Sequence, residues 1–214
     1  MSRELGAAWV RGWVVSRGTQ GARRTPWGLR VEVGRPRHMA RYVMLETRET
    51  LVRDLVGRAR TPGLWLKVFE EPEVVEPWLS RDWTRDAPGW LMAVDLAGAR
   101  VAAPEGYDIE TVRTGDVVCV LIQAADGTLA ARGQAGLAGE VAVVDQVSTE
   151  PAHQRRGLGS VVLRTLANQA LDAGAQTGIL GATVEGRALY ESLGWKSYAP
   201  LTGFIHRDPG EVTA

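Results

Sequence analysis

The spacing of apolar residues changes several times along this chain, and each change marks an element. Leu5, Trp9 and Trp13 recur at helical spacing, which predicts an amphipathic helix ending near Gly18. Gly18 to Trp27 mixes Gly, Thr, Gln, Arg and Pro without an apolar pattern and reads as a loop. Leu29 to Val33 and Arg41 to Glu46 read as strands. Helical spacing returns from Arg48 to Arg60, with Leu51, Leu55 and Val56 on one face, Thr47 available as N-cap and Pro62-Gly63 as the stop. Gly63 to Phe69 predicts a strand, Glu73 to Leu79 a short helix, and Gly89 to Asp95 another strand. Ala97 to Glu105, built largely of Ala, Gly and Pro, is the best linker candidate. It suggests an N-terminal α/β half over residues 1–100 and a second domain over 101–214.

Beyond it, strands are expected at Tyr107 to Arg113, Val117 to Ala124, Thr128 to Gly133 and Glu140 to Thr149. Ala125-Asp126-Gly127-Thr128 is a hairpin turn signal. Leu158 to Ala173 reads as a helix that can bury Val161, Val162, Leu166 and Leu171 and stops at Gly174. A strand at Ile179 to Ala182, a helix at Glu185 to Leu193 closed by Gly194, and a strand at Lys196 to Leu201 complete the pattern.

Length and charge narrow the class. A chain of 214 residues suits one large domain or two small ones and can bury a sizeable core. Lys+Arg and Asp+Glu balance at 25 each, so charge predicts neither a nucleic-acid partner nor an acidic one. Cys119 is the single cysteine, which excludes an intramolecular disulfide and zinc-finger spacing. No apolar run is long enough to span a membrane, and Met1-Ser2-Arg3-Glu4-Leu5 lacks the apolar region of a signal peptide. A soluble cytoplasmic protein, monomer or homodimer, is the expectation.

The segment Gln154-Arg155-Arg156-Gly157-Leu158-Gly159-Ser160 carries the chemistry. It links an expected strand to an expected helix, so the unpaired N–H groups and the dipole of a helix N-terminus favour a phosphate there. Gly157 and Gly159 allow close approach, and Arg155 and Arg156 can pair with phosphate oxygens. A Walker loop would need Lys-Ser/Thr where Ser160-Val161 stands. A dinucleotide fingerprint would need a third glycine where Val162 stands and an acid closing the next strand, Thr177 to Gly181. Neither ATP nor NAD is the favoured ligand.

With a second motif downstream, Leu189-Tyr190-Glu191-Ser192-Leu193-Gly194-Trp195, this loop resembles the Gcn5-related N-acetyltransferases (GNAT) over about residues 105 to 208. The first motif matches Gln/Arg-x-x-Gly-x-Gly/Ala through Gln154, Gly157 and Gly159. The resemblance implies an α+β fold, a mixed and largely antiparallel sheet flanked by helices. It also implies acetyl-CoA as co-substrate, with no metal, and transfer of an acetyl group to an amine acceptor, here a small primary amine. Val147, Ser148 and Thr149 would then offer main-chain groups to the pantetheine arm. The N–H groups of Arg155, Arg156, Gly157, Leu158, Gly159 and Ser160 would hold the pyrophosphate. Tyr190 would assist the departing thiolate. Thr183 and Gly186 stand where the family often has Asn and Ala, so Thr183 is expected beside the pantetheine. Two helices that normally shape the acceptor pocket are replaced by the strand at Val117 to Ile122, leaving the N-terminal half to supply that wall. That half repeats the order strand, helix, strand, helix, strand and reads as a degenerate GNAT-like repeat without glycine at Thr47 to Thr50.

An amine must lose a proton to attack, so acids near the strand end are candidate bases. Asp145 is the first of these and Glu150 the second; Asp145 can equally be a hydrogen-bonded strand carboxylate. His153 adjoins the loop, whereas His38 and His206 have no second ligand at metal spacing. The run Glu70-Glu71-Pro72-Glu73 with Glu76 reads as a solvated face that could otherwise attract a cationic amine. Of Trp65, Trp78, Trp83 and Trp90, most fit a core, while one or two could line an acceptor pocket. A reading from another class is a CoA-binding sensor without turnover.

Overall fold

The first helix, α1 (Ser2–Arg17), organises the fold, and residues 2–207 are described in this computed structural model. Eight elements follow before the connector: β1 (Arg23–Thr25), β2 (Gly28–Arg35), β3 (His38–Val43), α2 (Glu49–Arg58), β4 (Leu64–Val68), α3 (Pro72–Val75), β5 (Trp83–Arg85) and β6 (Gly89–Asp95). The second half contributes β7 (Tyr107–Thr114), β8 (Val117–Ala124), β9 (Leu129–Ala138), β10 (Val141–Thr149), α4 (Leu158–Asp172), β11 (Thr177–Thr183), α5 (Val184–Ser192), β12 (Lys196–Pro200) and β13 (Thr202–His206).

The strands form two sheets, in the orders β1-β2-β3-β4-β13-β5 and β12-β6-β11-β10-β9-β8-β7. Only β3–β4 and β10–β11 pair in parallel among the described residues. This is the mixed, largely antiparallel α+β architecture expected from the sequence. The sheets interleave in sequence: β6 lies between β11 and β12, while β13 returns to lie between β4 and β5. Sheet membership therefore does not change once, at residue 100, and each half supplies one strand to the other's sheet. The local orders β3-β4-β13-β5 and β10-β11-β6-β12 also correspond, each beginning with a parallel pair joined through a helix.

Helix α1 packs against both sheets. Trp9, Val10 and Trp13 bury themselves with Val31 and Val43 of the first sheet and Leu91, Val143 and Ile179 of the second. Glycines set the close approach: a Cβ on Gly136 would lie 2.1 Å from the Gly12 carbonyl oxygen. The outer face of the second sheet is covered by α4 through Leu158, Val162 and Leu166. On the outer face of the first sheet, Val52 and Leu55 of α2 pack with Tyr42, Leu66 and Phe204.

Several elements differ from the sequence expectation. The segment read as a loop contains β1, whose residues pair Arg23↔Arg30 and Arg24↔Leu29; an exposed edge strand needs no apolar pattern. Strands β5 and β13 were not anticipated, and β9 runs on to Ala138 rather than ending at Gly133. The N-cap of α2 is Arg48, with extended backbone and no side-chain capping bond, instead of Thr47.

Candidate active site

Strands β10 and β11 pair only from Val141↔Thr177 to Val144↔Leu180. Beyond that point β10 continues along β9 to Thr149↔Ala131, whereas β11 continues along β6 to Thr183↔Gly89. The two strands thus part company, and a bulge between Asp145 and Ser148, with Gln146 at φ 55, turns β10 away. Val147, Ser148 and Thr149 lie on the parted stretch, where main-chain groups facing β11 have no strand partner. An extended ligand arm can bond there as a strand would.

The cleft leads into the glycine loop. Gln154 donates from Nε2 to the Thr149 carbonyl at 3.2 Å and ties the loop to the strand end. Arg155 at φ 63 and Gly157 at φ 78 turn the chain, and Gly157 caps α4. Among the described residues, no N–H from Arg155 to Gly159 donates to another main-chain carbonyl; Ser160 is the first to turn back, onto Gly157 O at 3.0 Å. A Cβ at Gly157 would meet nothing within 4 Å, so the loop is open at that residue, and unpaired N–H groups at a helix start suit an anion. Gly159 has a different reason to be glycine, because a Cβ there would stand 2.8 Å from Leu189 Cδ2 on α5.

The two loop arginines separate. Arg156 donates to the Tyr107 hydroxyl at 2.9 Å and the Ala152 carbonyl at 3.4 Å, and Tyr107 also bonds His153 Nδ1 at 3.0 Å. Arg155 has no side-chain bond or ion pair among the described residues and is the freer of the two for a phosphate. Tyr107, at the start of β7, had no motif to mark it.

Across the cleft, Tyr190 is buried on α5 with its ring 6.1 Å from that of Trp195. A Cβ on Gly186 would stand 2.9 Å from the Tyr190 ring, so glycine one turn earlier gives this ring its room. Burial, and secondarily the Asp145 carboxylate, push the Tyr190 phenol above its ordinary value. Thr183, expected beside the pantetheine, caps α5: its hydroxyl oxygen accepts from Gly186 N at 3.2 Å. The Glu185 carboxyl, held low first by its own backbone N–H, is also bonded to Thr183.

Asp145 is fully engaged. It accepts from Arg17 Nε and from Arg17 Nη2 at 2.8 Å, from Ser16 Oγ at 3.2 Å and from Gln146 N at 2.9 Å. A carboxylate has about four lone-pair sites, so no site is left for an incoming proton without breaking one of these bonds. Gln134 on β9 completes the network, donating to Ser16 O at 2.6 Å and Ser16 Oγ at 2.8 Å. Glu150 follows β10 and is exposed.

From Asp145 a cationic and aromatic cluster runs into the first sheet. The Arg17 guanidinium lies 5.7 Å from the Trp13 ring centre, and Arg41 stacks on the same ring at 4.1 Å. Trp65 lies beside Arg41 at 5.7 Å and packs on the His38 ring at 4.7 Å. Lys67 is paired with Asp86 at 2.8 Å. Burial lowers Arg41 to about 10, the neighbouring Arg17 adding to the effect and Asp145 and Asp86 opposing it. Sequence reading gave Arg41 no role. Its signal was a charge in β3 between Ala40 and Tyr42, on a strand that packs against helices on both faces.

His38 makes a testable pH response. Burial, then Arg41, Arg17, Arg35 and Lys67, lower it from 6.5 to about 4. In the unfolded chain it binds a proton near pH 6.5, so stability is complete above that pH and is lost as pH falls toward about 4. The loss has an upper bound of about 3 kcal/mol. Urea unfolding midpoints across this window should show the slope, and His38→Gln should flatten it; an unchanged slope would remove His38 as its source.

Other candidates have structural roles. Glu73 and Glu76 lie 3.2 and 3.5 Å from Arg85, which accounts for part of the acidic run. His206 Nδ1 is 2.9 Å from the Thr61 carbonyl and its ring packs on Trp83. Among the described residues, no three His, Cys, Asp or Glu side chains are grouped to hold a metal, and no helix is long and apolar enough to cross a membrane.

The acetyltransferase (GNAT) family profile matches residues 76–195, more than half of the chain. The chain belongs to the GNAT family. The match covers β6, which sits next to β11, as well as the glycine loop and α5. No curated protein matches the chain. Among solved structures, a GCN5-related N-acetyltransferase from Kribbella flavida is similar over 98% of this chain and 96% of its own, at 20% identity and a TM-score of 0.70. A GCN5-related N-acetyltransferase from Sphaerobacter thermophilus covers 77% of this chain and 67% of its own, at 13% identity and a TM-score of 0.55. A tandem GNAT protein from the clavulanic acid biosynthesis pathway covers 73% and 67%, at 12% identity and a TM-score of 0.54. At these identities the likeness is one of fold. GNAT membership indicates an acyltransferase that uses an acyl-CoA donor and an amine acceptor.

Proposed function

We propose that this GNAT protein transfers an acetyl group from acetyl-CoA to a small primary amine by direct attack. The observation that carries the reading is the parting of β10 from β11 beyond Val144, which opens into a loop whose N–H groups from Arg155 to Gly159 are unpaired. The pyrophosphate of CoA would sit on those donors with Arg155 alongside, and the pantetheine would bond to the parted edge at Val147, Ser148 and Thr149. Thr183 would act indirectly, by fixing the start of α5.

In the reaction, the lone pair of a neutral amine forms the N–C bond to the thioester carbonyl. Main-chain N–H groups at the strand end would polarise that carbonyl, and the C–S bond then breaks with its electron pair on sulfur. Tyr190, with its phenol pushed upward, is a donor of a hydrogen bond to the thiolate more than a source of a fully transferred proton, since a thiol ordinarily titrates near ~8.5. The ammonium proton leaves to water, because the lone pairs of Asp145 are occupied. Asp145 is a positioning residue in this reading, fixing the end of α1 through Ser16 and Arg17 at the cleft. The N-terminal half is read as a degenerate GNAT-like repeat, supported by the matching strand orders, with its donor loop lost.

The occupied state of Asp145 also favours a second reading, a CoA-binding sensor without turnover. Thiol release from acetyl-CoA over an amine panel, run beside a melting-temperature shift, separates the two. CoA at about 100 times its dissociation constant should stabilise the protein by roughly 2.7 kcal/mol. A shift accompanied by thiol release supports the transferase; a shift alone selects the sensor, and no shift defeats both.

A further inference from the structure

Arg41 is a cation without a counter-ion. It makes no hydrogen bond or ion pair among the described residues, and its Nε is fully enclosed and unpartnered. Two of the neighbouring cations are paired: Arg17 is bonded to Asp145, and Lys67 to Asp86. His38 adds no charge near neutral pH, and its Nε2 is likewise enclosed and unpartnered. A guanidinium in this setting costs free energy unless something anionic meets it, and a fork of donors suits a planar carboxylate.

The position of Arg41 gives this cation a use. The Trp13 ring carries Arg41 on one contact and Arg17 on another, and Arg17 is bonded to Asp145 on the parted stretch of β10. Arg41 is therefore two side chains away from the cleft wall, on the side of the N-terminal half. Trp13 and Trp65 flank it as flat apolar walls. The cluster holds Arg17, Arg41 and Lys67, with Arg35 also acting on His38, against two carboxylates, Asp145 and Asp86, and so carries an excess of positive charge.

Resting on the acyl-transfer reading above, we propose that Arg41 binds a carboxylate of the acceptor, so that the substrate is a small amine that also bears a carboxylate. The acidic run near Glu73 and Glu76 is neutralised in part by Arg85, which weakens the opposite expectation of a polycationic amine.

The test compares matched pairs, glycine with glycinamide and 4-aminobenzoate with 4-aminobenzamide, with aminomethylphosphonate as a dianionic control. Thiol release from acetyl-CoA gives kcat/KM, and calorimetric titration of the CoA-bound protein with the same compounds reads binding without turnover. At least one carboxylate should exceed its amide by about 10- to 100-fold, the range of a charge-assisted hydrogen bond. Arg41→Met should collapse that ratio with the CoA melting shift unchanged, and Arg41→Lys should retain part of it. If Arg41→Met fails to fold, the wild-type pairs and Arg41→Lys still decide. Equal values within every pair in both readouts, or preference for the phosphonate, would overturn the proposal. A missing CoA shift would instead sink the donor assignment, and calorimetry on the protein alone then decides whether Arg41 takes a carboxylate.

Discussion

Replacing Tyr190 by Phe is expected to lower turnover by a factor on the order of 100 to 10,000, the usual contribution of a positioned acid. The CoA-dependent melting shift should be unchanged. The separation follows from where the atoms are. The ring packs against Trp195 and fills the space left by Gly186, and Phe keeps those contacts. The hydroxyl has no hydrogen-bond partner among the described residues, and it is not one of the fully enclosed polar atoms, so its loss should cost the fold less than about 1 kcal/mol. Because burial and Asp145 raise the phenol above its ordinary 10, its ionisation should not limit the wild-type rate at neutral or mildly alkaline pH. Steady-state thiol release for both proteins checks the effect, and an unchanged kcat would take Tyr190 out of the mechanism.

The largest stability effect is expected at Phe204. This side chain is fully buried, yet it belongs to β13, near the C-terminal end of the described chain, and packs in the core beneath α2. Phe204→Ala should cost about 3–5 kcal/mol, the range for removing a buried aromatic ring. For a chain of this size each kcal/mol lowers the melting temperature by roughly 2–4 °C. Met39→Ala, at an exposed position of the same sheet, serves as the control and should change stability by less than about 0.5 kcal/mol. Because β6 and β13 are exchanged between the sheets, the two halves should unfold in one transition. A small effect at Phe204, or two separate transitions, would contradict the interlocked arrangement.

The physical reasons for success and failure of the sequence reading differ from element to element. Strands β8, β10 and helix α4 were legible because each has a buried face whose period the apolar residues must follow. Strand β1 was not, since its residues are exposed or half-buried and its only requirement is main-chain pairing. The three-residue strand β5 is too short to show a period at all. Strand β13 follows β12 after a single residue, so the chain looks continuous although it crosses from one sheet to the other.

The site divides in the same way. Gly157 and Tyr190 could be named from the sequence because their surroundings are set by neighbours close in the chain: a loop that must enter α4 and a turn of α5. Arg156 and Asp145 were named too, but their hydrogen bonds could not be. Tyr107 lies 49 positions from Arg156, and Arg17 lies 128 positions from Asp145. Side-chain chemistry is determined locally, whereas a hydrogen-bond partner is determined by which strands and helices happen to meet.

Thus the sequence by itself determined the family, the glycine loop before α4 and the α+β class, because short-range geometry dictates them. Only the tertiary structure decided that β6 and β13 change places between sheets, that Asp145 is held by Arg17 and Ser16, and that Arg41 is left without a counter-ion. Those outcomes depend on α1 lying between two sheets, a contact between segments far apart in the chain that no local pattern encodes.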